Sequence, residues 1–330
     1  MVRALVVTRD ESGSSAGIRD LTEAELGDEA VLVEVLWSSL NYKDGLALAG
    51  NPGVARVSPL VPGIDVVGRV LESADARCAP GDEVVLTGSG LGETRHGGYA
   101  ERARVPGELL VRVPEELGAR RAAAIGTAGF TAAQAVLALE RHAASAFQAP
   151  DGPVLVTGAS GGVGTVAVAL LAASGREVVA STGRASEAER LRRLGASEVV
   201  DRAELAAAGA PLQRMRWAAA IDSVGGATLA NVLAQTRSGG TVAACGLAAS
   251  ADLPTSVHPF ILRAVALLGI NSVDASLAER EAVWARLARD LDPELLDASS
   301  TELRLDDVIA AGPRILAGEI AGRTLVRVAG

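Results

Sequence analysis

The chain has 330 residues, enough for two domains, and a formal net charge of −9 with a pI near 5.0, a balance that disfavours a nucleic-acid partner. Its two cysteines, Cys78 and Cys245, lie far apart and outside any C-x-x-C, so neither a disulfide framework nor a cysteine-rich zinc lobe can be built. Met1–Asp10 carries charges and lacks a signal-peptide apolar core. The long uncharged stretches Ala122–Leu139 and Gly152–Gly175 are rich in Ala, Gly, Ser and Thr, so a cytoplasmic protein with no membrane partner is expected.

From the start, Ala4–Thr8 reads as a strand. Glu29–Leu36 reads as another, with Val31, Val33 and Val35 alternating. It runs into Trp37-Ser-Ser-Leu-Asn-Tyr-Lys-Asp-Gly45, where Asn41, Tyr42, Lys43 and Asp44 crowd a strand end. Adjacent residues cannot all face one way, so two or three of them at most can line one cleft. Tyr42, one of two tyrosines in the chain, is either a ligand contact or a half-buried residue whose hydroxyl meets solvent. Further on, Asp65 sits between Ile64 and Val66. A lone buried charge is costly, so Asp65 must be paired, capping or functional, and capping of the neighbouring loop is the expected role. Pro80-Gly81 turns into a strand ending at Leu86, and Gly97-Gly-Tyr-Ala-Glu101 opens another. Many short strands joined by Gly/Pro turns indicate a compact β-rich, barrel-like domain.

The texture changes near Arg120. Arg121–Leu139 has helical period, interrupted by Gly126 and Gly129, and Glu140–Gly152 has no clear period. Val154–Val156 reads as a buried parallel strand. The glycine turn Gly158-Ala-Ser-Gly161-Gly162-Val-Gly164 and a small-residue helix ending at Gly175 follow it. Strand, glycine turn and helix form the context of a dinucleotide fingerprint: a Cβ there would block the pyrophosphate and hold the helix off the strand. Helix N-terminal N–H groups then bind the phosphates. The next strand, Val178–Ala180, ends in Ser181-Thr182-Gly183-Arg184. A site for NAD has a carboxylate at that position. An arginine with two hydroxyls suits a 2′-phosphate, so NADPH is the expected cofactor.

Glu187–Leu194 reads as an amphipathic helix, Glu198–Arg202 and Trp217–Asp222 as strands, and Leu229–Thr236 as a helix. Gly240–Gly246 and Val265–Ile270 are the fifth and sixth strands. Six strands alternating with helices predict a doubly wound parallel sheet in the order 3-2-1-4-5-6. Its ligand groups then fall at the strand carboxyl ends: Ser223, Gly246, Leu247, Asn271 and Ser272. Helices over Ala278–Leu291 and Leu305–Leu316 precede a last strand, Thr324–Val328, expected to rejoin the first domain's sheet.

This order of parts carries Asn41-Tyr-Lys-Asp44, Pro62-Gly-Ile-Asp65, Gly81-Asp-Glu-Val84, Gly97-Gly-Tyr-Ala-Glu101, Thr157-Gly-Ala-Ser-Gly-Gly-Val-Gly164 and Gly322-Arg-Thr-Leu-Val326. With them the chain resembles the medium-chain dehydrogenase/reductase superfamily over nearly its whole length. More narrowly it is similar to the zinc-free acrylyl-coenzyme A reductase and quinone oxidoreductase-like branch. The resemblance implies an α/β protein with a GroES-like catalytic domain over residues 1–126 and 273–330. It also implies a Rossmann NADP-binding domain over 127–272, with a six-stranded parallel sheet. Zinc-dependent members carry Cys where this chain has Leu40 or Asn41, and Gly-His-Glu where it has Gly63-Ile64-Asp65, so no metal is expected.

The implied reaction is NADPH-dependent reduction of an activated double bond, acrylyl-CoA to propionyl-CoA, with a quinone or general enone as the alternative substrate. Asn41, as amide donor, and Tyr42, as hydroxyl donor, are the candidates to touch nicotinamide and substrate. Lys43 and Asp44 are expected to brace the loop as an ion pair. The family match places Ser160, Gly161, Gly162 and Val163 on the pyrophosphate, Ser181 to Arg184 on the 2′-phosphate and Arg202 near the adenine end. Leu247, Ile261 and Ser272 fall along the nicotinamide half, and Arg323 either approaches the cofactor or is a surface charge on the last strand. A homodimer joined near the fifth and sixth strands is also implied. Two rival readings compete with this one. The short-chain dehydrogenase fingerprint fails because both tyrosines lie upstream of the glycine turn. A non-catalytic NADPH-binding sensor would bind NADPH without turnover.

Overall fold

The computed structural model describes residues 1–10, 13–145 and 149–329. In chain order come β1 (Val2–Asp10), β2 (Gly13–Leu21), β3 (Val31–Ser39), α1 (Tyr42–Leu48), β4 (Asp65–Ser73), β5 (Glu83–Thr87), β6 (Arg102–Val105), β7 (Val111–Arg112) and α2 (Gly118–Ser145). Then follow β8 (Val154–Val156), α3 (Gly162–Ala173), β9 (Val178–Thr182), α4 (Ala188–Arg193), β10 (Glu198–Asp201), β11 (Trp217–Asp222), α5 (Gly226–Gln235), β12 (Thr236–Ala244), α6 (His258–Arg263) and β13 (Ala266–Gly269). The chain ends with α7 (Leu277–Asp290), α8 (Pro293–Ala298), β14 (Ser300–Arg304), α9 (Val308–Leu316) and β15 (Arg323–Arg327). It forms two compact units. One comprises Met1–Phe130, Ser272–Ala288 and Leu296–Gly330; the other comprises Thr131–Asn271 and Arg289–Leu295.

The first unit is built on a sheet ordered β14-β15-β3-β4-β5-β7. One edge of β3 is bound along its length by β4. The other edge is shared, with β6 on Val31–Glu34 and β15 on Trp37–Ser39, which curls the sheet toward closure. The valines at 31, 33 and 35, read as alternating, are all buried in the core of this unit with Leu5, Val66, Leu86, Leu91 and Val326. The last strand does rejoin this sheet, antiparallel to β3. Absent from the sequence reading are β2, β7, β14, α6 and α8, and two of these strands lack an apolar pattern of their own. β2 pairs with β1 as a hairpin although its Gly-Ser-Ser-Ala-Gly start is polar and exposed, and β14 runs parallel to β15 with three exposed residues. Helix α2 extends through His142 to Ser145, where no period had been discerned. It breaks at Gly126 (φ 48°, ψ −161°).

The second unit carries a parallel sheet ordered β10-β9-β8-β11-β12-β13, the 3-2-1-4-5-6 order expected. Val154–Val156, Val178–Thr182 and Trp217–Asp222 are buried at every position, as parallel strands covered on both faces must be. Helix α2 is long and apolar enough to span a bilayer, but 78% of its most apolar stretch is buried against protein, the mark of a core helix.

Candidate active site

In the second unit the strand carboxyl ends assemble a cradle. β8 leads into a turn with Gly158 at φ +59°, and α3 starts at Gly162 with Gly161 at its N-cap and no side chain capping it. A Cβ on Gly164 would lie 2.5 Å from Ala159 Cα and Gly158 O, so glycine there lets the helix lie directly on the turn. The first N–H groups of α3 are therefore left pointing out of the helix end, where an anion is stabilised.

Beside this turn, the Thr182 hydroxyl donates to Ser160 Oγ at 2.8 Å, and the Arg184 guanidinium reaches the same oxygen at 3.4 Å. Gly183 accommodates Arg202, whose Nε would lie 2.4 Å from a Cβ at that position. The Ser181 hydroxyl is buried with no hydrogen-bond partner. An arginine on the Ser160 hydroxyl that Thr182 also bonds, and a glycine that admits a second arginine, fit the 2′-phosphate end of NADPH. Ser160, Gly161, Gly162, Val163 and Ser181 to Arg184 are thus brought together with Arg202.

Ser223 joins the same strand ends, its hydroxyl donating to Thr157 O at 3.2 Å, and Gly246 packs so tightly that a Cβ would meet Ser223 O at 2.5 Å. Leu247 and Ile261 are exposed at 62% and 70%, the latter on α6. Asn271 follows β13 and its carbonyl accepts from Gln134 Nε2. Ser272 belongs to the first unit.

Sequence reasoning missed the residues that brace this cradle. Arg190 ties α4 to the glycine turn by donating to Ser160 O and Thr165 Oγ1, both at 3.1 Å, while pairing with Glu187 at 2.6 Å. Asp222, at the end of β11, accepts from Thr157 Oγ1 at 2.6 Å and from the Gly225 N–H at 2.8 Å, and burial raises its carboxyl above the ordinary range. The signal for Asp222 was present: it ends the apolar run Trp217–Ile221, as Asp65 interrupts one. Arg190, on a half-exposed helix, offered none.

In the first unit a buried polar cluster forms where β3, α1, β4, α2 and β15 meet. Asn41 is the N-cap of α1, so the polar quartet opens a helix rather than crowding a strand end. Its backbone N–H and its amide both donate to Asp44 Oδ2, at 2.8 and 3.2 Å, and the other oxygen of Asp44 accepts from the Ile64 N–H at 2.9 Å. The Asn41 amide also donates to Asp65 Oδ2 at 2.8 Å, while its carbonyl accepts from Arg323 Nη1 at 3.3 Å. Asn41, expected as a donor to substrate, thus has its donors engaged inside the protein and is 8% exposed.

Asp65 is wholly buried. It accepts from Ser39 Oγ, from the Asn41 amide and from Thr127, whose N–H and hydroxyl lie at 2.8 and 2.6 Å. The capping expected of it is real, but the capped element is α2 restarting after the Gly126 break, 62 residues away, rather than the neighbouring loop. Arg323 is 2% exposed, which excludes the surface-charge reading. Its Nε donates to Ala124 O at 2.6 Å and its Nη2 to Ser39 Oγ at 3.0 Å. Two carboxyls and one guanidinium share this volume. Burial and the neighbouring Asp65 push Asp44 up to about 7. Burial also lowers Arg323 and raises Tyr99, whose hydroxyl donates to Ser39 O at 3.0 Å.

Lys43 and Asp44 do not pair. Lys43 Nζ binds Glu93 Oε1 at 2.8 Å, because successive helix residues point about 100° apart. Tyr42, 42% exposed at the first position of α1, is the exposed member of the quartet.

Residues 27–115 match the family model described as the alcohol dehydrogenase GroES-like domain, and residues 162–289 match that of the zinc-binding dehydrogenases. Acrylyl-CoA reductase AcuI of Ruegeria pomeroyi is 47% identical over 331 residues, covering 99% of each chain. The solved structure of yhdH from Salmonella enterica in complex with NADP superposes with a TM-score of 0.94 at 47% identity, over 98% of this chain and 99% of that one. Bacillus subtilis protein yhfP with NAD bound gives a TM-score of 0.92 at 41% identity, over 99% of both chains.

A GroES-like unit joined to a doubly wound sheet with a glycine-turn cradle defines a nucleotide-dependent oxidoreductase. The chain belongs to the medium-chain dehydrogenase/reductase family, in the branch that holds acrylyl-CoA reductase AcuI. Among the described residues no group of three or more His, Cys, Asp or Glu side chains could hold a metal ion.

Proposed function

We propose that the chain reduces the carbon–carbon double bond of an α,β-unsaturated thioester with NADPH, converting acrylyl-CoA to propionyl-CoA. The observation that carries this reading is the 47% identity to an acrylyl-CoA reductase along the whole of both chains. NADPH, held by Ser160 to Val163 and by Ser181 to Arg184 with Arg202, supplies hydride for the β-carbon. The preference for NADPH over NADH rests on the Ser-Thr-Gly-Arg strand end, which offers a guanidinium and hydroxyls and no carboxylate. Charge that develops on the thioester oxygen requires a donor aimed at it, and the α-carbon requires a proton. Tyr42 is assigned to that end of the reaction, because it is exposed on a helix whose cap is locked by Asn41 and Asp44. Asn41 acts on substrate through Tyr42: it fixes the first turn of α1 and is a positioning residue.

The protein is assigned to the cytoplasm as a homodimer. Exposed Val257, Ile261 and Leu262 on and beside α6, next to the outer strand β13, supply an apolar surface for a second copy. Light scattering that shows a monomer would overturn the dimer.

NADPH consumption with acrylyl-CoA, crotonyl-CoA and a simple quinone, with NADH as control, tests the reaction. Saturable turnover with acrylyl-CoA and NADPH is expected, and Tyr42→Phe should lower kcat by about 10²-fold or more. Turnover with the quinone alone would make the chain a quinone oxidoreductase. Tight NADPH binding with no turnover would favour the sensor.

A further inference from the structure

The dinucleotide cradle occupies the carboxyl ends of β8 to β12. The opposite, N-terminal ends of the same strands frame a second cavity of about 560 Å³. Pro153 before β8, Val179 on β9, Glu198 opening β10, Trp217 opening β11 and Arg237 on β12 form its wall, with Arg214 and Arg216 on the segment that leads into β11. The electrostatics of this opening run against the chain as a whole. Three guanidiniums line it in a protein of net charge −9, and among the described residues Glu198 is the one acid in the wall.

The three arginines are held by different means, and among the described residues Arg214 and Arg237 have no ion pair. Arg216 lies 4.1 Å from the ring centroid of Trp217 and pairs with Glu204 at 3.1 Å, leaving part of its fork toward Gln235 at 3.5 Å. Arg237 donates to the backbone carbonyl of Asp151, a neutral acceptor, and Gly152 makes room for it: a Cβ there would sit 2.6 Å from Arg237 Nη1. Arg214 is exposed and has no ion pair or hydrogen bond among the described residues. Trp217 is 1% exposed and belongs to the apolar core behind the opening, so it backs Arg216 as a fixed surface.

We propose that this cavity is a binding site for a multiply charged small oxyanion, gripped by Arg214, Arg216 and Arg237. Guanidinium forks match the oxygens of phosphates and of carboxylates, and three of them on one opening suit a ligand with more than one negative charge. The site is separate from the cradle, since it uses the other ends of the strands, and it does not depend on which substrate the enzyme reduces.

Isothermal titration of the full chain with inorganic pyrophosphate and, separately, with citrate tests the proposal, each with and without excess NADP⁺. One saturable site that persists in excess NADP⁺ is expected for at least one of the two anions, and the tighter of them identifies the ligand class. Arg214→Glu, an exposed change that should leave the melting temperature unmoved, should weaken that binding at least tenfold. Arg237→Ala should weaken it similarly. Absence of saturable heat with both anions would overturn the proposal. So would heat that NADP⁺ abolishes, which would place the anion in the cradle, or affinity that neither substitution changes.

Discussion

Asp65→Asn is the most informative perturbation of the buried cluster. The native carboxylate accepts four hydrogen bonds, two from Thr127 and one each from Ser39 and Asn41, all in the protein interior. An amide has one acceptor oxygen. If that oxygen faces Thr127, the new NH2 points at the Ser39 hydroxyl and the Asn41 amide; if it is flipped, the NH2 points at the Thr127 N–H. A flip of Asn41 could relieve the first conflict, but only by turning its carbonyl away from Arg323 Nη1. In either arrangement Arg323, 2% exposed, loses the nearest negative charge that opposes its desolvation. Breaking a buried charge set by removing one partner destabilises by about 3–5 kcal/mol, and the lost charge-assisted hydrogen bonds fall within that figure. Guanidinium chloride unfolding should show this loss. In the Asp65→Asn background, adding Arg323→Met should destabilise much less than Arg323→Met does in the native chain, because the orphaned cation leaves with it. A loss below about 1 kcal/mol, or strict additivity of the two changes, would refute the reasoning.

Arg184→Ala should weaken NADPH binding by roughly 10- to 100-fold and leave NADH binding nearly unchanged, since the lost hydrogen bonds are to a charged group only NADPH carries; nucleotide titration by fluorescence reads the ratio. Gly126→Ala would place a methyl 2.6 Å from Asp65 Oδ2 at a backbone φ of 48°, and a loss of about 2 kcal/mol or more in chemical denaturation is expected. Asp44 gives a signed pH dependence. Its carboxyl stands at about 7 when folded against an ordinary 3.8, so the folded state holds more protons than the unfolded one across that window. Stability from this group is therefore fully present below about pH 4 and is lost as pH rises through 7, at up to about 1.4 kcal/mol per pH unit. His96 works in the opposite sense: its ring Nδ1 accepts from the Val61 N–H, burial lowers its pKa, and stability falls as pH drops below its unfolded value. The stability of the native chain minus that of Asp44→Asn, measured at each pH from 5 to 8, cancels the histidine and should decline from pH 5 and level off above about 7; a difference flat between pH 5 and 7 would count against a proton on Asp44.

The parts of the fold that were legible share a physical cause. Strands β8, β9 and β11 are covered on both faces, so each opens as an unbroken apolar run, and the glycines between β8 and α3 answer to constraints a few residues long. β2 and β14 escaped because their stability comes from pairing with β1 and β15 rather than from an apolar face of their own. The end of α2 escaped because Arg141, His142 and Ser145 lie on turns where no apolar stripe is needed.

The two candidate sites, one in each unit, differ in the same way, and the difference bears on what each does. The cradle was readable from Gly158 to Arg184 because a phosphate is recognised by local backbone shape and a nearby charge. The buried cluster joins residues 39–44, 65, 127 and 323, with hydrogen bonds spanning as many as 284 positions. No window of sequence contains it, and Arg323 on its own reads as a surface strand residue. One sign was visible without coordinates: Asp65 lies in an apolar run where an uncompensated charge would not be tolerated. The structure supplies the compensation from three directions, and Gly126 is what lets it fit, since any side chain there would fill the space where Asp65, Ser39 and Arg323 approach one another. Buried charge of this kind seldom adds net stability over a well-packed apolar core, so its presence under α1 argues for geometry as its role. It fixes the break in α2 and the cap of α1 in one rigid set, and the residue that this set holds at the surface is Tyr42.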